Sequence, residues 1–304
     1  MQRLRKGIKL MGIEVKIIAD SISRSGKRIT TFQLRYQRFF HSELMTHRML
    51  SRNASSSRAI PVSKMISQVW NDPAMPVYWG QNKAGMQANT QLQGFKRKMA
   101  EALWIGAGRV TCIAAWGMMK LGMHKQISNR ILEPWQYISV VVTATEWDNF
   151  FALRDHKDAQ PEFRELAHKM KIQMDESVPK VLDNWEWHLP YVTEREIENG
   201  KMLGSYNYLL PKLSAARCAR VSYMKHDGKS PSIDEDLELY NQLMTRPYTD
   251  KRGNTYNEFD PIHASPVEHQ AYPAADKNYH SGNFVGWIQH RKLLEQDYMK
   301  EETL

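Results

Sequence analysis

Two β-rich segments joined by a short polar turn constrain this chain most. Residues 13–19 (IEVKIIA) and 28–35 (RITTFQLR) are dominated by β-branched and apolar side chains, and Ser23-Arg24-Ser25-Gly26 supplies turn chemistry between them. A third run, YISVVVTAT at 137–145, predicts a buried strand. Between and after these strands the periodicity is helical. FFHSELMTHRML (39–50) predicts a helix with Phe40, Leu44 and His47 on one side. Residues 91–123, the basic stretch 124–134, TEWDNFFALR (145–154), 159–178, 233–245 and a last segment from about Phe284 also read as helices. The pattern predicts an α+β fold, a mixed or antiparallel sheet packed against long helices.

Segments rich in Ser, Asn, Gly or Pro read as loops at 51–61, 71–90 and 246–266, and 184–204 reads as irregular and tryptophan-containing. In the first of these, Ser and Asn compete for backbone hydrogen bonds and Pro61 ends the segment. A boundary is expected within 185–210. The 304 residues suffice for about two domains or one large unit. Two cysteines, Cys112 and Cys218, exclude a disulfide scaffold and a multi-cysteine zinc site. The longest apolar run, Val110 to Met119, is too short to cross a bilayer, and the basic N-terminal stretch has no apolar core, so neither a membrane nor a secreted location is expected. A formal charge of +9 points to an anionic partner.

The chemistry is carried by arginines and hydroxyls. No Gly-x-Ser-x-Gly elbow, P-loop or zinc-hydrolase helix occurs. Cys112 lies in an apolar helix context. Cys218, between Arg217 and Arg220, could have a lowered pKa, but a small buried residue is the favoured reading. His47 and Arg48 are followed by Ser51, Arg52, Asn53, Ser55, Ser56, Ser57 and Arg58. Hydroxyls, backbone N–H groups and guanidinium forks so close together suit a phosphate. A solvated serine-rich turn is the plainer alternative. His124, Lys125, Asn129 and Arg130 form a second cluster, and Arg154 ends the aromatic run FFALR, where a guanidinium needs an anion or a path to water. In DPIHASPVEHQA, His263, Ser265, Glu268 and His269 could form an acid–base site. The stronger reading is a helix cap: Ser265 at N-cap, Pro266 at N1 and Glu268 at N3.

THRMLSRNASSSR (46–58) resembles the signature of the flavin-dependent thymidylate synthase family, ThyX, with His47, Arg48, Ser51, Asn53, Ser56 and Arg58 in register. NRILEP (129–134) is similar to the family's arginine-bearing helix through Arg130. NFFALRDHKDAQPE (149–162) resembles its Asn-Leu-Arg segment through Asn149, Arg154, Ala159 and Gln160. AARCARVSY (215–223) and HASPVEH (263–269) resemble segments that the family carries near its N-terminus, so the order looks circularly permuted. Duplication is the rival, because GWIQHRK (286–292) echoes the segment ending at Arg48. On this reading residues 1–184 hold the ThyX-like core and 185–304 complete the same fold.

The resemblance implies reductive methylation of dUMP to dTMP, with FAD as cofactor and NADPH and methylenetetrahydrofolate as co-substrates. It implies Ser56, Arg58 and Arg154 as catalytic residues. It implies Ser55, Ser56, Ser57, Arg58, Arg130 and Arg154 at dUMP, and His47, Arg48, Met49, Asn53, Asn149, Ser222 and Ser265 at FAD. It also implies a homotetramer with shared sites and, for the virus-encoded branch it looks closest to, a place in the host cytoplasm. Four positions depart from the pattern. Thr46 stands where the family has Arg, Ala54 where it has Glu, Glu43 where it has Gln, and Asp158 where it has His. These motivate a second reading, another flavin-dependent modification such as hydroxymethylation of a pyrimidine deoxynucleotide. A nucleic-acid-binding protein ranks below both, because the basic residues are scattered rather than gathered in a stripe.

Overall fold

The computed structural model describes residues 12–302 apart from 86, 89, 222–231, 250–252, 254 and 260–264. Strands β1 (Glu14–Ser23) and β2 (Arg28–Gln37) form the expected hairpin, and Gly26 turns it at φ +85°. A 3-10 turn, Arg38–Phe40, leads into α1 (His41–Leu44), where the helix stops short of the expected residue 50. Arg52 explains the stop: its guanidinium donates to the carbonyls of Leu44 (3.1 Å) and His47 (2.9 Å), acceptors that a longer helix would use itself. The loop expected at 51–61 instead opens with β3 (Ser51–Ala54).

Helices α2 (Val62–Asn71), α3 (Gly94–Lys120) and α4 (Lys125–Ser128) precede a 3-10 helix, Arg130–Trp135, and β4 (Tyr137–Ala144). Then come α5 (Asp148–Arg154), α6 (Pro161–Glu176) and β5 (Lys180–Leu182). The order β3-β4-β2-β1-β5 makes one five-stranded sheet, antiparallel except for the parallel β1–β5 pair. Strand periodicity divides its residues between two faces. Phe32, Leu34 and Tyr36 of β2 and Ile138, Val140 and Val142 of β4 join Phe163, Leu166 and Met170 of α6 in one apolar core. Ile29 belongs to a separate cluster on the other face, with Leu182, Phe284 and Trp287.

The stretch 184–204, expected to be irregular, contains α7 (Glu194–Met202), started by a reciprocal capping box between Thr193 and Glu196. Helices α8 (Tyr206–Ala219) and α9 (Ile233–Met244) follow. The loop expected at 246–266 holds a hairpin of β6 (Thr245–Thr249) and β7 (Thr255–Phe259). The chain continues through the 3-10 helix Ser265–Glu268 and short strands β8 (Ala271–Pro273), β9 (His280–Ser281), β10 (Phe284–Val285) and β11 (Trp287–Gln289) to α10 (His290–Glu302). The final helix therefore starts at His290 rather than near Phe284, and GWIQHRK straddles a strand and a helix start.

Polar side chains join this later region to the sheet. Ser21 Oγ lies 2.9 Å from His188 Nδ1, His188 Nε2 lies 2.8 Å from Thr31 Oγ1, Thr31 and Thr143 hydroxyls are 2.7 Å apart, and Thr143 lies 2.8 Å from His269 Nδ1. Burial pushes both imidazoles down to about 3, so they are neutral. Helix α3 is long and apolar enough to cross a membrane by length and composition, more than the run 110–119 implied. It exposes Leu103, Val110, Ile113 and Trp116.

Candidate functional site

The turn after α1 and the edge of the sheet build the site. Ser51 to Ala54 pair with Thr143 to Val140, and Ser55 prolongs the ladder, its N–H donating to Ser139 O at 2.8 Å. The Ser55 hydroxyl accepts the Ser139 N–H at 3.2 Å. Asn129 then clamps the serine loop by donating to the carbonyls of Ser57 (2.7 Å) and Ile60 (2.9 Å), while Lys125 donates to Ala59 O. Ser57 is buried by that clamp, Ser56 accepts the Arg58 N–H, and the Arg58 side chain is exposed. His124, in the second cluster, is the N-cap of α4: its Nδ1 accepts the Gln126 N–H at 3.2 Å.

Arg130 and Arg154 lie on either side of the 38–47 segment. Arg130 is half-exposed and donates to Glu133 at 2.9 Å, a carboxylate shared with Arg38 at 3.0 Å. Arg38, Arg130 and Glu133 wall a hollow of about 640 Å³ with His41, Ser42 and Met45. Arg154 walls a second hollow of about 800 Å³ with Glu43, Tyr78, Trp104 and Asp158. Phe39 lines both hollows, and Arg58 lines neither. Each guanidinium nitrogen of Arg154 has a partner. Its Nε donates to His47 Nε2 (2.9 Å), one terminal nitrogen to Glu43 (3.0 Å) and the other to the Thr46 hydroxyl (3.4 Å), and its guanidinium lies 4.6 Å from the Phe163 ring centroid. Accepting from Arg154 requires a bare Nε2 on His47. Burial first, then Arg154 and Arg52, lowers the His47 pKa and favours that neutral form. No spacing in the sequence announces this meeting, since Glu43 lies in α1 and Thr46 in the turn after it.

The residues that the resemblance assigns to FAD fall into two groups. Arg48, Met49 and Asn149 are exposed, and His47 links their two elements by standing 5.0 Å edge-on from Phe150. An exposed guanidinium, a thioether and an amide on adjoining elements fit an anionic aromatic dinucleotide. Asn53 is buried instead. It donates to Cys218 O at 2.7 Å and accepts from Ser265 Oγ at 3.4 Å, so β3 is bonded to both later segments named above. The Ser265 cap is thereby corrected: its hydroxyl serves Asn53, and Ser265 is itself the first residue of a four-residue 3-10 helix. Ser222 and His263 lie outside the described residues.

The other clusters resolve simply. Glu268 pairs with Arg291, and His269 with Thr143, so no acid–base pair forms between them. Among the described residues no group of three or more His, Cys, Asp or Glu could hold a metal. Burial pushes the Cys218 thiol up, while Arg217 and Arg220 turn to the buried Asp236 at 2.9 and 2.6 Å, so the expected lowering does not occur. Cys112 is buried, and its thiol is likewise raised by burial.

The family model of the thymidylate synthase complementing protein matches residues 28–180, from β2 to the first residue of β5. No curated protein matches the chain. Among solved structures the chain is similar to a UMP/dUMP methylase, PolB from Streptomyces cacaoi, bound with 5-Br UMP. Identity is 17 %, the TM-score is 0.47, and the match covers 55 % of this chain and 90 % of that one. It is similar to the same enzyme bound with 5-Br dUMP at 17 % identity and TM-score 0.46, covering 55 % and 91 %.

Proposed function

Because the chain belongs to the thymidylate synthase complementing protein family and is by that membership a thymidylate-synthase-type methyltransferase, we propose that it is a flavin-dependent thymidylate synthase converting dUMP to dTMP. One observation carries the reading: the family match spans residues 28–180, and Ser55, Ser56, Ser57, Arg58, Arg130 and Arg154 all lie inside it. Arg58 and Arg130, both exposed, bind the phosphate beside Ser55 and Ser56. Arg154 faces the uracil and stabilises negative charge developing on its carbonyls, oriented by neutral His47. Arg48, Met49 and Asn149 hold FAD, with Asn53 and Ser265 bounding that site, and the resemblance adds Ser222 to its contacts. FAD supplies the hydride chemistry when bound, NADPH its reducing equivalents, and methylenetetrahydrofolate the one-carbon unit. No protein nucleophile is needed, which suits the raised thiol of Cys218.

The same reading places the protein in the cytoplasm, the host's if the gene is viral, and off the membrane. We take the apolar face of α3 to be covered by other copies in a homotetramer. Gly106 and Gly117 have nothing within 4 Å of where a Cβ would stand, so nothing in this chain requires glycine there, and a partner's backbone could approach closely. The permuted order and the completion of one fold by residues 185–304 are proposals of the same kind, supported by the bonds of Asn53 to Cys218 and Ser265. Several of the arginines are held by carboxylates of the same chain, as in Arg28–Asp20, Arg35–Asp72 and Arg38–Glu133, rather than gathered in a free basic stripe, which disfavours nucleic acid as the partner.

The test is direct. The purified protein should be yellow and should convert dUMP to dTMP with NADPH and methylenetetrahydrofolate. A colourless protein that also refuses added FAD defeats the proposal. A second reading, modification to another pyrimidine product, is favoured by one observation: Glu43 and Thr46, two departures from the family pattern, both contact Arg154. Mass spectrometry of the product decides, since pure dTMP excludes it.

A further inference from the structure

Among Arg58, Arg130 and Arg154, only Arg154 has all three guanidinium nitrogens bonded within its own chain. Two of those bonds come from positions where this chain departs from the family pattern. Glu43 puts a full negative charge where that pattern has a neutral amide, and Thr46 puts a hydroxyl where it has a second arginine. The local charge around Arg154 is thereby brought to balance.

The Glu43–Arg154 pair is not sealed in the core. The side chains are 32 % and 22 % exposed, and both line the 800 Å³ hollow with Phe39, Tyr78 and Trp104. The other carboxylates there are differently placed. Glu162 accepts the Val77 N–H at 3.0 Å and the Gln160 amide at 3.2 Å, and Asp158 stands 3.7 Å from His156. A part-exposed ion pair is weak enough to be displaced by a ligand offering the guanidinium a bidentate acceptor edge.

We infer that Glu43 is an internal competitor for Arg154, a latch that the incoming pyrimidine nucleotide must open, and that it sets the affinity and selectivity of this pocket. The inference rests on the proposed nucleotide reading. Glu43 acts through Arg154 and is a positioning residue. In the closed state the carboxylate stands in for the ligand's acceptor, so apparent affinity is reduced by the fraction of molecules that are open. Removing the charge while keeping the shape should increase binding, an effect that mere damage to the fold does not produce.

The test is calorimetric titration of the full-length protein with dUMP, deoxyuridine and inorganic phosphate. The variants are Glu43→Gln, Arg154→Ala and the double substitution. Glu43→Gln should tighten dUMP by about threefold to tenfold, and Arg154→Ala should abolish that gain in the double variant. If deoxyuridine shares the gain, Arg154 receives the base; if phosphate shares it instead, Arg154 receives the phosphate, and either result supports the latch. If Arg154→Ala loses dUMP while Glu43→Gln binds it no tighter than the parent, the latch is wrong and the functional reading stands. A gain that survives in the double variant also overturns the latch. Failure of both the parent and Glu43→Gln to bind dUMP overturns both.

Discussion

Residues 12–182 and 183–302 are held in different ways. In the first region Phe32, Leu34, Tyr36, Phe40, Ile138, Val140, Phe150 and Phe163 meet in one large apolar core between sheet and helix, beside a smaller cluster around Met65, Val69, Cys112 and Leu132. The second region divides its apolar residues among smaller clusters, around Tyr240 and Val267 and around Trp187 and Leu210. Buried polar groups tie it to the sheet, through His188 and His269 bonded to Thr31 and Thr143, and hold it internally, through Arg217 and Arg220 sharing Asp236. Apolar cores respond to volume, whereas polar seams respond to pairing and protonation. The candidate site leans on both, since Arg154 packs on Phe163 of the core and Asn53 reaches into the seam.

The largest effects should come from the strongest element of each region. Phe32→Ala should cost about 3–5 kcal/mol through the cavity it leaves. Asp236→Ala should cost a similar amount, about 3–5 kcal/mol, by leaving Arg220 without its buried carboxylate and Arg217 with Glu196 alone. Urea unfolding checks both. A loss below about 1 kcal/mol for Asp236→Ala would show that the seam is dispensable and erase the contrast.

Acid should separate the regions next. Burial holds His188, His269 and His290 neutral, with pKa values near about 3 against an ordinary 6.5. The unfolded chain therefore binds more protons below pH 6.5. The stability these neutral imidazoles contribute is present above that pH and is lost as pH falls towards about 3, by about 1.4 kcal/mol per group per pH unit. Hydrogen exchange at pH 5 should open residues 183–302 before the sheet, and simultaneous opening would contradict the assignment.

A smaller effect is expected at the joint between the regions. Asn53→Ala removes a donor from the Cys218 carbonyl and an acceptor from Ser265, at a cost of about 1–3 kcal/mol. If urea denaturation shows no loss, the joint lies elsewhere. The smallest effect is at the neighbouring thiol. Cys218→Ser should leave turnover of dUMP intact, and abolition would mean that the chemistry uses a nucleophile after all.

Much of the fold was readable from local pattern. The β1–β2 hairpin follows from β-branched runs around a turn, and β4 and α6 follow from period and length. The α7 helix carries its own Thr193–Glu196 signal inside a tryptophan-containing stretch that otherwise reads as irregular. At the site, the arginine and serine residues stood out by density, as did Glu43 and Thr46 by their mismatch with the family. Nothing local could show that both meet Arg154, which is 111 residues from Glu43.

The sequence alone determined which segments alternate with a period of two or of 3.6, and which carry guanidinium and hydroxyl groups in the family's order. These properties depend on neighbours a few residues away. The tertiary structure decided where α1 stops, because the acceptors that a longer helix needs are taken by Arg52. It made 51–54 a strand, because β4 offers an edge. It also decided that Arg154 is bound while Arg58 is free, because partners for a long charged side chain are chosen by distance in space, and sequence spacing does not fix that distance.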